Sequence, residues 1–523
     1  MGHILLTGST GLLGGYLLRD LLRREQKVAV LVRPSRFETA EQRVEQTLLL
    51  WEEQWGRSIP RPLVLAGEIT EPQLGLDRGQ LAWVRRHCTS VLHSAASLLF
   101  HANADEPDRT NVGGTRNILA FCHETGVDEL AYISTVYVSG CRQGVVLESE
   151  LDVGQELAND YEKSKLAAEQ LVRSDSRLRA YTIFRPSIIV GDYYSGYTST
   201  FHGFYAPLRI AFALAPMMHA EQLLEVDFLQ LLGLQGDERK DFVPVDWVSE
   251  AITTILARRP AENQTYALVS QHPVTANRLL SVFEQVVRRY AGSKAADGNG
   301  EGQPAPATGS AGTEVFEQAY VEQFATYRTY WRDDPEFDCT HTLSVLGDRP
   351  CPIVTDEVLL RLCAYAVEAR FGWPRRIAPP PEFSARDWLR ASPGYVGWTD
   401  EEPGSRPFCE DDDSPTGSVR LMVTGAGGGC WTIRRRHSGE FTCHEGEEKA
   451  DTEIRMNWQT LRRLTLADLT LEQAVSQARA VVYGSSRGVP FVAGFLEAAR
   501  RGMTNGDSAI GQKTAQSRAA RRS

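Results

Sequence analysis

Thr7-Gly8-Ser9-Thr10-Gly11-Leu12-Leu13-Gly14 stands directly behind the short run His3-Ile4-Leu5-Leu6. A strand, a tight glycine turn and a helix opening on Leu12-Leu13 restrict the chain to folds that begin with a strand–turn–helix unit. Gly8 and Gly11 let the backbone turn sharply and approach a pyrophosphate with no side chain in the way. Gly14 lets the helix pack close to the strand. Free N–H groups and the positive dipole end of the helix then attract phosphate. Thr7, Gly8, Thr10, Gly11, Leu12 and Gly14 are therefore candidate dinucleotide-binding residues.

Bulk properties exclude several classes. A chain of 523 residues is too long for one core, so roughly two to four domains are expected. Hydrophobic content of 42% and charged content of 24% are those of a soluble globular protein. A net charge of −11 argues against nucleic acid as a partner. The most apolar stretch, residues 208–218, is short and contains Arg209 and Pro216, so no transmembrane segment is expected. Peripheral membrane contact stays open. The N-terminal strand has no basic leader, and the nine cysteines include no C-x-x-C pair. These features predict a reducing, cytoplasmic setting and no metal site.

Apolar runs at 4–6, 28–32, 63–66, 90–93, 130–133 and 181–184 alternate with amphipathic stretches. That pattern predicts an α/β fold, a Rossmann doubly wound parallel sheet. Residues 291–312 contain no large apolar side chain and read as a flexible linker. Residues 313–398 read as a helical extension for substrate or docking. In it Phe316, Tyr320, Phe324, Tyr327 and Trp331 share one helical face, suited to a core or a docking surface. A second helix runs from Asp356 to about Phe371 and stops at Gly372. Residues 399–416 form an acidic linker, residues 417–500 a separate α+β domain, and residues 501–523 a disordered basic tail.

Candidate chemistry lies at Tyr161 and Lys165, which are four apart and share a helix face. A lysine ammonium beside a phenol favours the phenolate and lowers its pKa toward working pH. Tyr161 could then give a proton to a carbonyl oxygen while Lys165 also grips cofactor ribose hydroxyls. Ser134 and Thr135 end a predicted strand at the sheet edge where open α/β folds bind ligands. Thr135, or Ser134, would hydrogen-bond the carbonyl and stabilise the developing oxyanion. Arg33 and Arg36 stand where an NAD-preferring site has a carboxylate. They would pair with a 2′-phosphate, which favours NADPH as cofactor.

Further segments follow in a fixed order: His93-Ser94-Ala95-Ala96, Asn111-Val112-Gly113-Gly114-Thr115, Arg185-Pro186-Ser187-Ile188-Ile189-Val190-Gly191 and Asp241-Phe242-Val243-Pro244-Val245-Asp246. Together with the glycine turn and Tyr161…Lys165, they resemble the extended short-chain dehydrogenase/reductases over residues 1 to about 290. The resemblance implies an NADP-binding domain with a small substrate-binding subdomain. It adds Glu68, Ser94, Ala95 and Pro186 to the cofactor-binding candidates. Leu31-Val32-Arg33, Leu74-Gly75-Leu76, Ser134-Thr135-Val136-Tyr137-Val138 and Pro244-Val245-Asp246-Trp247-Val248 are most similar to the thioester-reductase and fatty-acyl-CoA-reductase branch. In that branch NADPH reduces an acyl thioester to an aldehyde or alcohol. Glu68 departs from the Asp usual there.

Residues 417–500 read as strands at 419–423, 431–433, 452–456 and 481–484, with a turn at 425–429 and helices near Trp458 and over 490–500. A further helix is capped by Thr470 with Gln473 in a capping box. The segments at 450–457 and 469–474 resemble the sterol-carrier-protein type-2-like domain, which implies an apolar tunnel for lipids.

The expected activity is NADPH-dependent reduction of an acyl thioester, acyl-CoA or carrier-bound, or of another lipidic carbonyl. Residues 193–234, with Phe201, Phe204, Tyr205, Leu208 and Phe212, would form an apolar substrate channel. Alternatives on the same fold are a nucleotide-sugar epimerase or dehydratase and a hydroxysteroid dehydrogenase. The sugar enzymes would place polar and basic residues in that channel. A non-catalytic lipid-binding or regulatory protein would not need Thr135, Tyr161 and Lys165 together.

Overall fold

A computed structural model describes residues 2–36, 38–55, 59–98, 106–214, 226–258, 262–294, 318, 320–322, 331–372, 383–392, 395–397, 417–424, 428–436, 438–445, 450–477, 479–485 and 487–504. Most of the linker expected at 291–312, most of the helix expected at 314–331, the acidic linker and the tail beyond 504 lie outside these residues. The chain forms two compact units. One comprises Met1–Arg33 with Leu65–Arg376, the other Pro34–Val64 with Ile377–Ser523.

The first unit is built on a seven-stranded sheet. Its strands are β1 (His3–Thr7), β2 (Val28–Val32), β3 (Leu63–Ala66), β4 (Cys88–His93), β5 (Glu129–Ile133), β6 (Ala180–Pro186) and β7 (Gln264–Leu268), in the order β7-β6-β5-β4-β1-β2-β3. Pairing is parallel from β2 through β1, β4, β5 and β6 to β7. Every residue of β2 is buried, as expected of a strand covered by helices on both faces. The chain leaves β1 in one direction and β4 in the other. Their carboxyl ends therefore flank the switch point, where an open α/β sheet leaves a crevice. This is the doubly wound parallel fold that the alternating runs predict. The edge strand β7 has no counterpart among those runs, because Gln264 and Thr265 interrupt its apolar pattern.

A smaller subdomain covers one end of this sheet. Short strands Ile188–Val190 and Phe242–Pro244 pair in parallel. Helices Ala276–Lys294 and Asp356–Glu368 close a core containing Phe204, Tyr205, Leu208, Phe283, Leu359 and Leu362. Phe204 meets Phe242 and Phe283 edge-on, with ring centroids 5.2 and 5.9 Å apart. Phe201, Phe204 and Leu208 of the expected channel are thus buried core residues.

In the second unit a six-stranded mixed sheet runs Tyr395–Gly397, Phe441–Glu445, Gly429–Arg435, Ser418–Thr424, Thr452–Asn457, Ala480–Gly484. Thr470 and Gln473 form a capping box on the helix Leu471–Ser476. The helix Ala40–Trp55 belongs to this unit, a grouping that differs from the boundary read at residue 290. The buried Arg61 guanidinium pairs with Glu45 at 2.8 Å and Glu52 at 2.5 Å, and also donates to Gln459 at 2.9 Å. Asn457 donates to Glu45 at 3.2 Å. These contacts join residues 34–64 to the carboxyl-terminal sheet.

Among the described residues no helix is long and apolar enough to cross a membrane, and no group of three or more His, Cys, Asp or Glu could hold a metal.

Candidate active site

The glycine turn is shaped by close approach. Gly8 has φ +76°, and a Cβ there would lie 2.7 Å from the Ala95 nitrogen. A Cβ on Gly14 would lie 1.9 Å from the Gly8 carbonyl oxygen. The Gly11 N–H donates to that same oxygen at 2.9 Å. The turn therefore presents bare backbone at the start of helix Leu12–Arg23, a cradle that fits a dinucleotide pyrophosphate.

Thr7 has no exposure. Its Oγ1 lies 2.8 Å from His93 Nδ1 and accepts from the Ala95 N–H at 3.2 Å. It joins the ends of β1 and β4 rather than facing the crevice. Burial holds His93 down to about 3, so its imidazole is neutral. Arg33 pairs with Glu68 at 3.0 Å, so two residues read as separate cofactor contacts meet each other. Arg36 belongs to the second unit.

Beside the turn lies a cleft with a volume of about 270 Å³. Gly8, Gly11, Leu12, Gly14, Ser94, Thr135, Tyr161, Lys165 and Pro186 all line it. Thr7, Thr10, Arg33, Glu68 and Ala95 do not. Ser134, Ser187, Thr200, His202 and Tyr205 are among the other residues that line it. No motif pointed to Thr200 or His202; Tyr205 was among the residues expected along the substrate channel, and Ser187 stood in a quoted segment without a role.

Local structure aims the central side chains. Thr135 caps the turn Val136–Ser139, its Oγ1 accepting from the Tyr137 N–H at 3.2 Å. The helix Asp160–Ser174 is capped by Asn159, which accepts from the Glu162 N–H at 2.9 Å. That helix buries Tyr161 and Lys165 on one face. The Thr135 hydroxyl lies beside the Tyr161 phenol and favours its ionised form, against the larger effect of burial. Ser134 instead donates to Glu169 at 2.6 Å, and Glu169 is also held by Arg185 at 2.6 Å. Of the two candidate hydroxyls, Thr135 is the one that meets Tyr161.

One expectation is corrected. Lys165 does not lower the Tyr161 phenol; burial raises it. The Lys165 ammonium donates to the Tyr132 hydroxyl at 2.8 Å and to the Ile133 carbonyl at 2.6 Å. Burial brings Lys165 itself down to about 7, with Glu169 acting in the opposite direction. The side chains share a helix face, but the lysine's long stem carries its charge to the strand.

Asn111 ties this helix to the loop after β4. It donates to Ser164 at 2.9 Å and to the Ser97 carbonyl at 3.0 Å, and accepts from the Ser97 N–H at 2.8 Å. Asn111 stood in a quoted segment, and Tyr132 in the apolar run 130–133, without an assigned role.

Residues 6–252 match the model of the "Male sterility protein" family, an NAD-binding family. Among solved structures, the terminal R domain of the myxalamid PKS-NRPS biosynthetic pathway is 26% identical. It superposes with a TM-score of 0.55, covering 71% of this chain and 92% of that one. Over residues 1 to about 290 the fold is similar to that of thioester-reductase R domains. Curated proteins similar to this region include the L-2-aminoadipate reductase large subunit of Penicillium chrysogenum, 27% identical over 309 residues. The isonitrile lipopeptide synthase of Streptomyces coeruleorubidus is 27% identical over 290 residues. Each match takes in 54% of this chain, but only 20% and 18% of those relatives' own length.

Proposed function

We propose that the first unit reduces an acyl thioester to an aldehyde or alcohol with NADPH. The observation that carries this reading is the meeting of Thr135, Tyr161 and Lys165 with the glycine turn in one cleft. The bound cofactor would supply hydride to the carbonyl carbon. Gly8, Gly11, Leu12 and Gly14 would hold its pyrophosphate, and Lys165 its ribose hydroxyls. Tyr161 gives its phenolic proton to the carbonyl oxygen, and its raised pKa keeps that proton in place beforehand. Thr135 hydrogen-bonds the same oxygen as charge develops on it. Collapse of the resulting hemithioacetal breaks the C–S bond and releases aldehyde and thiol.

Names among the relatives, a lipopeptide synthase, an aminoadipate reductase and a PKS-NRPS R domain, favour a carrier-bound acyl group over free acyl-CoA. Preference for NADPH rests on Arg33 reaching a 2′-phosphate in exchange for Glu68. The carboxyl-terminal unit would bind lipid if its likeness to sterol carriers extends to a tunnel, which displacement of a fluorescent fatty acid tests.

The deciding experiment compares wild type with Tyr161→Phe. NADPH oxidation should appear with carrier-bound or CoA thioesters and be absent with nucleotide sugars. It should vanish in Tyr161→Phe while NADPH still binds. Unchanged turnover in that variant, or a response to nucleotide sugars alone, overturns the reading. Arg33→Ala should erase the NADPH preference, and an unaltered preference would remove Arg33 from the cofactor site.

A further inference from the structure

Residues 331–342 follow the helical region by sequence, yet in the first unit they lie along the back of the cleft. Arg332 donates to the Gly140 carbonyl at 2.8 Å and pairs with Glu162 at 3.3 Å. Glu162 is fully buried and directly follows Tyr161. Two residues on, Asp334 accepts from the Tyr137 hydroxyl at 2.9 Å, pairs with Lys240 at 2.6 Å and accepts from the Asp241 N–H at 3.0 Å. Tyr137, Asp334 and Lys240 are each no more than 3% exposed. Glu336–Phe337 then pairs in parallel with Val145–Val146.

This strap grips two elements that the cleft needs in register. Through Asp334 it holds the turn that Thr135 caps; through Arg332 it holds the first turn of the helix that carries Tyr161. Those elements are joined by residues 140–159, tied by Gln155 donating to the Val138 carbonyl at 2.7 Å and by the Cys141 N–H donating to the Glu156 carbonyl at 2.8 Å; the strap adds a buried charged contact to each element. A buried carboxylate beside a buried phenol also needs a counter-charge, since losing one partner of such a pair is costly. Arg332 provides it from outside the helix.

We propose that Arg332 and Asp334 are positioning residues for the reduction, holding the Thr135 and Tyr161 hydroxyls on a common carbonyl oxygen. The proposal rests on the assignment of Thr135 and Tyr161 made above. Displacement of reacting groups by a fraction of an ångström to one ångström costs on the order of 10- to 100-fold in rate.

The test uses the full chain and the thioester that wild type reduces. Arg332→Met should lower kcat by about 10- to 100-fold. KM for the thioester and Kd for NADPH should stay near their wild-type values, because neither residue touches the cleft. Arg332→Lys, which restores the charge opposite Glu162, should recover much of kcat. Asp334→Asn should repeat the kcat loss with cofactor affinity kept. If Asp334→Asn does not fold, the Arg332 pair still decides the question. An unchanged kcat in Arg332→Met overturns the proposal. So does a loss of NADPH binding in step with kcat, the mark of general unfolding. Tyr161→Phe measured alongside separates the two readings. If it stays active, the site assignment falls; if it is dead while Arg332→Met is not, only the role of the strap falls.

Discussion

The Lys165 ammonium donates to the Tyr132 hydroxyl at 2.8 Å, across from the helix to strand β5. Tyr132 is 1% exposed, so its hydroxyl has no water to turn to. Its ring also lies beneath the ammonium, 4.4 Å from nitrogen to centroid. The strand, rather than Tyr161, is what fixes the lysine.

Tyr132→Phe removes that acceptor and leaves the ring. The ammonium keeps the Ile133 carbonyl. Loss of one hydrogen bond to a charged group costs about 1.5–3 kcal/mol. Steady-state kinetics should therefore show kcat/KM reduced by roughly 10- to 150-fold. Equal kcat/KM in the two proteins would show that Tyr132 does not hold Lys165 in the working enzyme.

Lys165 also predicts a pH dependence of stability. Its folded pKa is about 7, against an ordinary value of 10.5. Between these values the unfolded chain binds the extra proton, so stability rises with pH through that window. Below about pH 7 both states are protonated and the full penalty of the buried charge is present. The stability of wild type relative to Lys165→Met should thus increase from pH 7 to 10, by about 1–3 kcal/mol after allowance for relaxation of the site. Denaturant melts of both proteins across that range check it, and a flat difference would mean that Lys165 keeps an ordinary pKa.

Gly14→Ala forces a methyl against the Gly8 carbonyl, 1.9 Å from the ideal Cβ. Backbone must move on one side or the other. Overpacking of this kind costs about 1–3 kcal/mol, and the displaced turn should weaken NADPH binding by at least about 10-fold. Fluorescence titration with NADPH reads the second effect. Wild-type affinity in a folded Gly14→Ala protein would show that the turn is not the phosphate cradle.

In the second unit, Arg61→Met leaves the buried Glu45 and the half-buried Glu52 without their cation. Breaking a buried ion pair from one side costs about 3–5 kcal/mol. Amide hydrogen exchange in the strands Ser418–Thr424 and Thr452–Asn457 should accelerate accordingly. Unaltered protection there would show that residues 34–64 are not part of that unit's stability.

What was legible in the residues follows from chemistry that is local along the chain. The glycine turn needs only residues within one strand–helix unit. The six parallel strands read from apolar runs announce themselves because both sheet faces are covered. The capping box at Thr470 and Gln473 spans three residues. Even the corrected pair was half visible, since a spacing of four does put Tyr161 and Lys165 on one helix face.

Helical and strand periods say which face a side chain occupies, but not which element that face will meet. Lys165 reaches Tyr132 over 33 residues of chain, Glu162 takes Arg332 over 170, and Arg61 finds Gln459 over 398. Those partners are chosen by strand order and by crossovers, and no periodicity encodes them. The amino-acid sequence by itself determined a parallel α/β sheet behind a glycine turn and put forward Thr135, Tyr161 and Lys165 as candidates for the reduction. Only the tertiary structure decided which group each charge meets: Lys165 the Tyr132 hydroxyl, Arg33 Glu68, and Arg332 the buried Glu162 behind Tyr161. A buried charge must find its counter-group wherever the fold brings one within reach.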